Sequence, residues 1–240
     1  MMYTQKNGSL KTYCNEAGYS MIELMIAVVI SSLVMATVVT VFFSQSGHYT
    51  KHDDIANIQQ NLRGALTILP LEIRLAGCDP TESNDPKVLV ATNTSFQFTR
   101  DLNGDGDVTD PEENIAYGFT ADTDGDGIAD AGGGNWVATG SLGRQTGGAG
   151  GLQPLADNIE AVQFNYILKD NTASLAPADL RDIRAVQVTM LARAPNPDIN
   201  FTDTGTYTTP TGAVWDPPAA QENFHRRMVS VTIQSRNLGY

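Results

Sequence analysis

The sequence predicts an α+β fold, in which a long N-terminal membrane helix packs on an antiparallel β-sheet with long loops. Two observations lead to this prediction. Residues 24–43 are apolar and uncharged, and apolar residues recur at helical spacing after them. Later segments instead alternate apolar and polar residues, which is the period of a strand with one buried face. One helix laid against one sheet buries both apolar surfaces.

The apolar segment Leu24–Phe43 is the first element. Its 20 residues would make a helix of about 30 Å, one hydrocarbon-core thickness. Glu23 stands at the edge of this segment, where a bare carboxylate in lipid is costly. Lys6 and Lys11 precede it, and positive residues in this position stay in the cytoplasm. We therefore expect a single-pass membrane protein with a cytoplasmic N-terminus.

The residues around Glu23 form a specific pattern. The run after a short polar leader is Gly18-Tyr19-Ser20-Met21-Ile22-Glu23-Leu24. It resembles the processing site of type IV prepilins, although Tyr19 and Met21 stand where phenylalanine and leucine are usual. The resemblance implies a pilin-like fold, removal of the leader (1–18) by prepilin peptidase between Gly18 and Tyr19, and N-methylation of Tyr19. It also implies an assembly role for Glu23, whose carboxylate would pair with the terminal amine of a neighbouring subunit.

Helical periodicity continues beyond the membrane segment. Apolar residues of one helical face are Ile55, Ile58, Leu62, Ala65, Leu66, Leu69 and Ile73. We expect an N-terminal helix over 19–78, with a transmembrane half at 24–43 and an amphipathic half at 44–78 that packs on the domain. Residues 61–77 are similar to the same region of PilW-type minor pilins, and the J-type pseudopilins of type II secretion look similar here.

Residues 79–240 are predicted to form a periplasmic, β-rich globular domain. The alternating segments are Phe96–Phe98, Ile115–Phe119, Val162–Leu168, Val186–Met190 and Val229–Ile233. The glycine-rich residues 132–151 are predicted to be a loop with room for a short strand at 136–142. The proline-rich residues 196–218 are predicted to be an exposed excursion with few buried groups. Residues 155–164, 184–188 and 236–237 again resemble PilW-type chains.

Charge and cysteine content narrow the possible functions. The net charge of −12 argues against a nucleic-acid partner, which usually requires a basic patch. Cys14 lies in the leader, so the mature chain keeps Cys78 alone and cannot form an internal disulfide. Motifs of a nucleophile elbow, a phosphate loop or a metalloprotease are absent from the sequence, which predicts a protein that is not an enzyme.

The acidic run of residues 101–112 has the spacing of a calcium loop. Oxygen ligands would fall at positions 1, 3, 5, 7, 9 and 12, and a glycine stands at position 6 for the sharp turn. These ligands would be Asp101, Asn103, Asp105, Asp107 through its carbonyl, Thr109 and Glu112. The alternative is an acidic turn between strands without a metal.

A second acidic loop resembles the calcium-binding runs of thrombospondin type 3 repeats. Its candidate ligands are Asp122, Asp124, Asp126 and Asp130. Gly133 occupies position 12, so the bidentate glutamate is absent. We expect this site to bind calcium more weakly than the first loop.

The resemblances together imply a PilW-like minor pilin that primes or caps a pilus filament. Its expected partners are other major and minor pilins, which contact it through the N-terminal helix, together with prepilin peptidase and the inner membrane. After assembly it would lie in the filament or at its tip. Two alternatives stay open: a minor pseudopilin of a type II secretion system, and a membrane-anchored calcium-binding domain that never assembles.

Overall fold

The computed structural model describes residues 18–83, 87–130, 134–136 and 138–238. The chain divides into two compact units, Met1–Tyr49 and Thr50–Tyr240. One long α-helix, α1 (Met21–Arg74), contributes residues to both units. It begins and ends inside the predicted range 19–78.

In the first unit, α1 is apolar and its side chains are exposed. Residues Met21–Gln45 have a mean hydropathy of 2.6, and this span is long and apolar enough to cross a membrane. The most apolar window of the span is 0% buried. The span contains the predicted segment 24–43, and its exposed side chains are free to contact lipid or other helices.

In the second unit, α1 buries the predicted apolar stripe. Ile58, Leu62, Ala65, Leu69 and Ile73 are at most 4% exposed, and Leu66 packs against the same core.

Ile55 is the exception, at 39% exposure. At this level the helix meets the domain through Asp54, which accepts a hydrogen bond from Asn196 Nδ2 at 3.1 Å. The buried part of the stripe therefore begins at Ile58, and the Ile55 side chain remains partly in solvent.

The helix ends in a tight turn that the C-terminal residues cover. Gly77 has φ +72°, and a Cβ added there would lie 2.6 Å from Leu238 Cδ2. A side chain at position 77 would therefore be both strained and crowded. Ser235 Oγ donates to the Ala76 carbonyl oxygen at 3.0 Å, and Arg236 N donates to the Arg74 carbonyl oxygen. The end of α1 is thus held by the last residues of the domain.

The domain is built on an eight-stranded antiparallel sheet. Its strands are β1 (Val88–Ala91), β2 (Ser95–Thr99), β3 (Asn114–Phe119), β4 (Gly140–Thr146), β5 (Gln153–Leu168), β6 (Ala173–Ser174), β7 (Ile183–Arg193) and β10 (Arg226–Gln234). The spatial order is β1-β2-β3-β4-β5-β7-β10, and β6 pairs with β5. A separate hairpin contains β8 (Tyr207–Thr208) and β9 (Val214–Trp215), and two 3₁₀ turns lie at Leu180–Asp182 and Ala219–Gln221.

The predicted α+β fold class is confirmed, and each of the five alternating segments lies in a strand of this sheet. Inward-facing residues such as Phe96, Phe98, Tyr117 and Phe164 join the α1 stripe in one core. Two features differ in detail from the prediction. Strand β1 had no clear alternation, and β4 occupies 140–146 instead of 136–142.

The proline-rich residues 196–218 are mostly exposed, as predicted, but Thr209, Trp215 and Pro217 are buried. Trp215 is 3% exposed and packs with Trp136, Ala161 and Leu191 in a second apolar cluster. Ala161 lies on β5 and Leu191 on β7. These two central strands are therefore covered on both faces, whereas the sequence predicted a sheet with one buried face.

A buried ion pair lies beneath this covering segment. Arg226 donates through Nε to Glu160 Oε2 at 2.5 Å, and both side chains are fully buried. Arg226 Nη1 also lies 3.5 Å from the Oδ2 atom of Asp203, which belongs to the proline-rich segment. Because a buried charge needs partners, this arginine fastens the segment to the sheet.

Candidate functional site

The predicted processing site lies in an exposed segment at the start of α1. Gly18, Tyr19 and Ser20 precede the helix, and Tyr19 is 89% exposed. The Gly18–Tyr19 peptide bond is thus open to solvent in the described structure. The rest of the predicted leader, residues 1–17, lies outside the described residues.

Glu23 and Ser20 form a capping box at the helix N-terminus. Ser20 N donates to Glu23 Oε2 at 3.2 Å, and Ile22 N donates to Ser20 Oγ at 3.3 Å. Each side chain satisfies a backbone N–H group that has no partner within the helix. This local role of Glu23 was not part of the sequence prediction, although the spacing S-x-x-E carries it.

The first acidic loop closes the hairpin between β2 and β3. Thr99 pairs with Asn114, and Arg100 N donates to the Glu113 carbonyl oxygen at 2.9 Å. Residues 101–112 form the connection beyond this pair. The two strands therefore fix both ends of the loop.

Asp101 holds the loop from the inside. Its fully buried carboxylate accepts from Gly104 N at 2.6 Å and from Gly106 N at 3.1 Å. Both glycines have left-handed φ values, 78° and 90°, which allow their N–H groups to converge on one side chain. Thr81 Oγ1 donates to the same carboxylate at 3.3 Å.

Three further polar side chains stabilise the turns of the loop. The side-chain oxygens of Asn103, Asp105 and Asp107 each accept from the backbone N–H two residues later, at 2.9, 3.0 and 2.9 Å. Thr109 Oγ1 also donates to Asp107 Oδ1 at 2.8 Å. The two hydrogen bonds from Thr109 hold the pKa of Asp107 below its usual value.

Glu113 completes an acidic cluster with two of these residues. Its side chain is 1% exposed, and its Oε1 accepts from Leu102 N at 2.8 Å and from Asn103 N at 3.4 Å. One carboxylate oxygen each from Asp105, Asp107 and Glu113 lies within 4.8 Å of the others. The structure therefore places Glu113 in the acidic cluster, whereas the sequence prediction had named Glu112 as the glutamate ligand.

Glu112 instead links the loop to a charged network on α1. Its carboxylate lies 3.0 Å from Arg144 NH2, which also lies 2.6 Å from Glu72 Oε1. Arg100 NH2 approaches Glu72 at 3.6 Å, and the Tyr117 hydroxyl donates to Glu72. Glu112 thus stands in this network, while the calcium assignment of the loop stays a prediction.

The second acidic loop brings Asp122, Asp124 and Asp126 together, with one oxygen each within 4.8 Å. Burial raises the pKa of Asp122, and the charges of Asp126 and Asp124 raise it further. Asp130 is not in this cluster, since its carboxylate accepts from Thr123 N and Thr123 Oγ1.

The second loop packs directly on β5. Gly127 has φ +89°, and a Cβ there would lie 2.5 Å from the Val162 carbonyl oxygen. Val162 N donates to the Gly127 carbonyl oxygen at 2.8 Å. The acidic turn thus also has a packing role.

Comparison with known families gives two matches, one near the N-terminus and one in the domain. Residues 128–237 match the family described as type IV pilus-assembly protein W, PilW. Residues 14–39 match the prokaryotic N-terminal methylation motif. The chain is a type IV pilin-like protein of the PilW type.

Other comparisons with this pilin add little. Among solved structures, "Type IV-like pilin TTHA1219 from Thermus thermophilus" has a TM-score of 0.45 and 15% sequence identity, over 76% of this pilin and 98% of that chain. The search of curated proteins gives no match. The PilW match implies a structural role in a pilus-related system, in line with the predicted absence of enzymatic activity.

Sequence reasoning missed Glu113 in this pilin, but the strand pattern contains a signal for it. Ile115, Tyr117 and Phe119 are buried on the core face of β3. Because side chains alternate along a strand, residue 113 shares that face and residue 112 takes the other. The twelve-residue spacing rule comes from EF-hands, in which a helix follows the loop. Here a strand follows the loop, so the spacing of the last ligand need not be the same. Glu113 is therefore the residue that the hairpin turns inward.

Proposed function

We propose that this pilin is a PilW-like minor pilin that is inserted in the inner membrane, processed at Gly18 and assembled into a pilus filament, which it primes or caps. The N-terminal segment supports the proposal most directly. An exposed Gly18–Tyr19 bond leads into an apolar helical span, Met21–Gln45, whose side chains are uncovered. The methylation motif, residues 14–39, includes this bond and most of the span.

The uncovered helix defines what the protein must contact. Before assembly, lipid of the inner membrane would surround Met21–Gln45, with the N-terminus in the cytoplasm and the domain in the periplasm. After extraction from the membrane, the same apolar surface would need the helices of other major and minor pilins. Filament assembly would therefore cover the apolar helix surface that is exposed in the isolated chain.

Processing can be tested at the new N-terminus. Prepilin peptidase should remove residues 1–18 and leave an N-methylated Tyr19, because Gly18 directly precedes the apolar span. The measurement is mass spectrometry of the protein from cells with and without the peptidase gene. A Gly18→Lys variant should retain its leader in both strains.

The same experiment separates the proposal from an anchored domain that never assembles. A chain that keeps residues 1–18 in cells with active peptidase would contradict the proposal. The pseudopilin alternative predicts the same processed terminus. The PilW match favours a pilus over a secretion system, and incorporation into sheared pili tests that choice.

A further inference from the structure

We propose that the loop between β2 and β3 binds one calcium ion, with the carboxylates of Asp105, Asp107 and Glu113 as ligands. The site is separate from the N-terminal segment, so it does not depend on the proposed role in assembly. It also differs from the position-counting prediction, which placed Glu112 at the metal.

The distances within the cluster suit a single calcium ion. Calcium–oxygen bonds measure about 2.3–2.6 Å, so two ligands of one ion lie at most about 5.2 Å apart. The three carboxylate oxygens lie within 4.8 Å of one another. Small side-chain shifts therefore suffice for one ion to contact all three.

Glu113 supplies independent support for a ligand at this position. Its side chain is 1% exposed, and among the described residues its Oε2 has no hydrogen-bond partner. A buried carboxylate oxygen without a partner is rare, because desolvation destabilises it. Oε1, in contrast, is held by the backbone N–H groups of Leu102 and Asn103. The side chain is thus fixed in the loop with one oxygen left to bind a cation.

The donor set favours calcium over other metals. All three ligands are carboxylate oxygens, and the cluster contains no histidine or cysteine, the ligands typical of zinc sites. Asp105 and Asp107 are exposed, so water can complete the six to eight oxygens that calcium takes. We expect a Kd of about 10⁻⁴–10⁻³ M, as in extracellular calcium modules.

The second acidic loop lacks this additional support. Asp124 and Asp126 are exposed, and Asp126 Oδ2 accepts from Asn135 Nδ2 at 2.6 Å. Among the described residues, no carboxylate of that loop has a buried oxygen without a partner. It therefore serves as an internal comparison.

The proposal can be tested by calcium titration of the full chain in detergent after treatment with chelator. Isothermal titration calorimetry should detect one site, and Glu113→Gln should raise its Kd at least about tenfold, since affinity follows the charge of the ligands. The glutamine keeps an oxygen that can accept from Leu102 N, so the loop should stay folded. Asp107→Asn, at an exposed position, is a second variant with the same expected loss.

Two matched variants distinguish this ligand set from the alternatives. Glu112→Gln and Asp126→Asn should leave the Kd of the site unchanged within about twofold. Absence of calcium binding in the wild type up to about 10 mM, ten times the weakest expected Kd, would overturn the proposal. So would a site that survives both Glu113→Gln and Asp107→Asn, or one that is lost in Glu112→Gln alone.

Discussion

Single residues determine how α1 is joined to the sheet, and Glu72 is the central one. Its side chain is 13% exposed. The guanidinium groups of Arg144 and Arg100 form ion pairs with its carboxylate, and the Tyr117 hydroxyl donates a hydrogen bond to it. Burial acts to raise the pKa of Glu72, but the hydrogen bonds from Arg144 and Tyr117 outweigh it and hold the pKa below the ordinary value of 4.5. The ionised form is therefore the one that the fold stabilises.

Stability should consequently depend on Glu72 in a pH-dependent way. A carboxyl group with a lowered pKa stabilises the fold above its unfolded pKa, and this contribution is lost as pH falls through the folded value. We expect Glu72→Gln to lower the free energy of unfolding by about 1.5–3 kcal/mol at pH 7, the usual value of hydrogen bonds to a charged group. The deficit should shrink below about pH 4.5. Thermal denaturation of the full chain in detergent between pH 3 and pH 7 would measure it.

Glu112→Gln is the matched control for this prediction. Glu112 contacts the same Arg144 but is 59% exposed, so its ion pair is screened by solvent. We expect a loss below about 1 kcal/mol. Equal losses in the two variants, or a Glu72→Gln deficit that grows towards pH 3, would contradict this role of the buried carboxylate.

The sequence reveals only part of this residue-level chemistry. Local spacing places Asp101, Asp105 and Asp107 on one loop, because these residues are close along the chain. The contact between Glu72 and Arg144 joins residues 72 positions apart, and no local pattern predicts such a pair. The inward turn of Glu113 lies between these cases, since it follows from strand alternation once the strand boundary is known.

At the scale of elements, the segment 196–218 is a cover for the sheet. Trp215 fills the second apolar cluster on the outer faces of β5 and β7. Tyr207 of the same hairpin donates to Asp203 Oδ2 at 2.6 Å, and Arg226 NH1 reaches that carboxylate at 3.5 Å. The hairpin therefore shields apolar and charged groups of the central strands from water.

Neighbouring residues of β9 allow a direct test of this cover. Trp215→Ala should lower the free energy of unfolding by roughly 3–5 kcal/mol, the usual loss for a buried tryptophan. Val214→Ala, at a side chain that is 57% exposed, should lose less than about 0.5 kcal/mol. Denaturant unfolding followed by circular dichroism provides both values. Similar values for the two variants would mean that the hairpin does not stabilise the sheet.

This cover also explains why the sequence pattern did not predict that both faces of β5 are buried. Strands such as β10 follow period-two alternation because one face meets the core, and their positions were predictable. In β5, the consecutive residues from Ile159 to Tyr166 are all buried, including Gln163 and Asn165. Polar side chains there indicated an exposed face, but tertiary packing of the proline-rich segment overrides that signal.

At the scale of the whole molecule, the proposed function requires the N-terminus to serve both the single chain and an assembly. Glu23 accepts from Ser20 N in the monomer, and this amide is not the one freed by cleavage after Gly18. The capping box therefore persists in a processed chain. In the proposed assembly, the carboxylate would exchange this weak, neutral donor for the charged amine of a neighbouring subunit.

Two substitutions at Glu23 separate these roles. Glutamine accepts the capping hydrogen bond but carries no charge, whereas alanine does neither. If the charge pairs with a neighbour, both Glu23→Ala and Glu23→Gln should reduce incorporation into sheared pili at least about tenfold, while insertion and cleavage continue. Quantitative immunoblotting of shear fractions would measure this. Wild-type incorporation of Glu23→Gln with loss in Glu23→Ala would assign Glu23 to helix capping alone.

Residues that directly follow β10 close the turn after α1, and this sets an order for biogenesis. Ser235 and Ala76 are 159 positions apart, and β10 is the strand that completes the sheet beside β7. Synthesis therefore delivers the apolar span of α1 before β10. During translation the apolar stripe of α1 remains partly exposed until β10 is made, and such exposed apolar surfaces are prone to aggregation. A chain truncated before β10 would reach the membrane yet remain a target for chaperones and proteases.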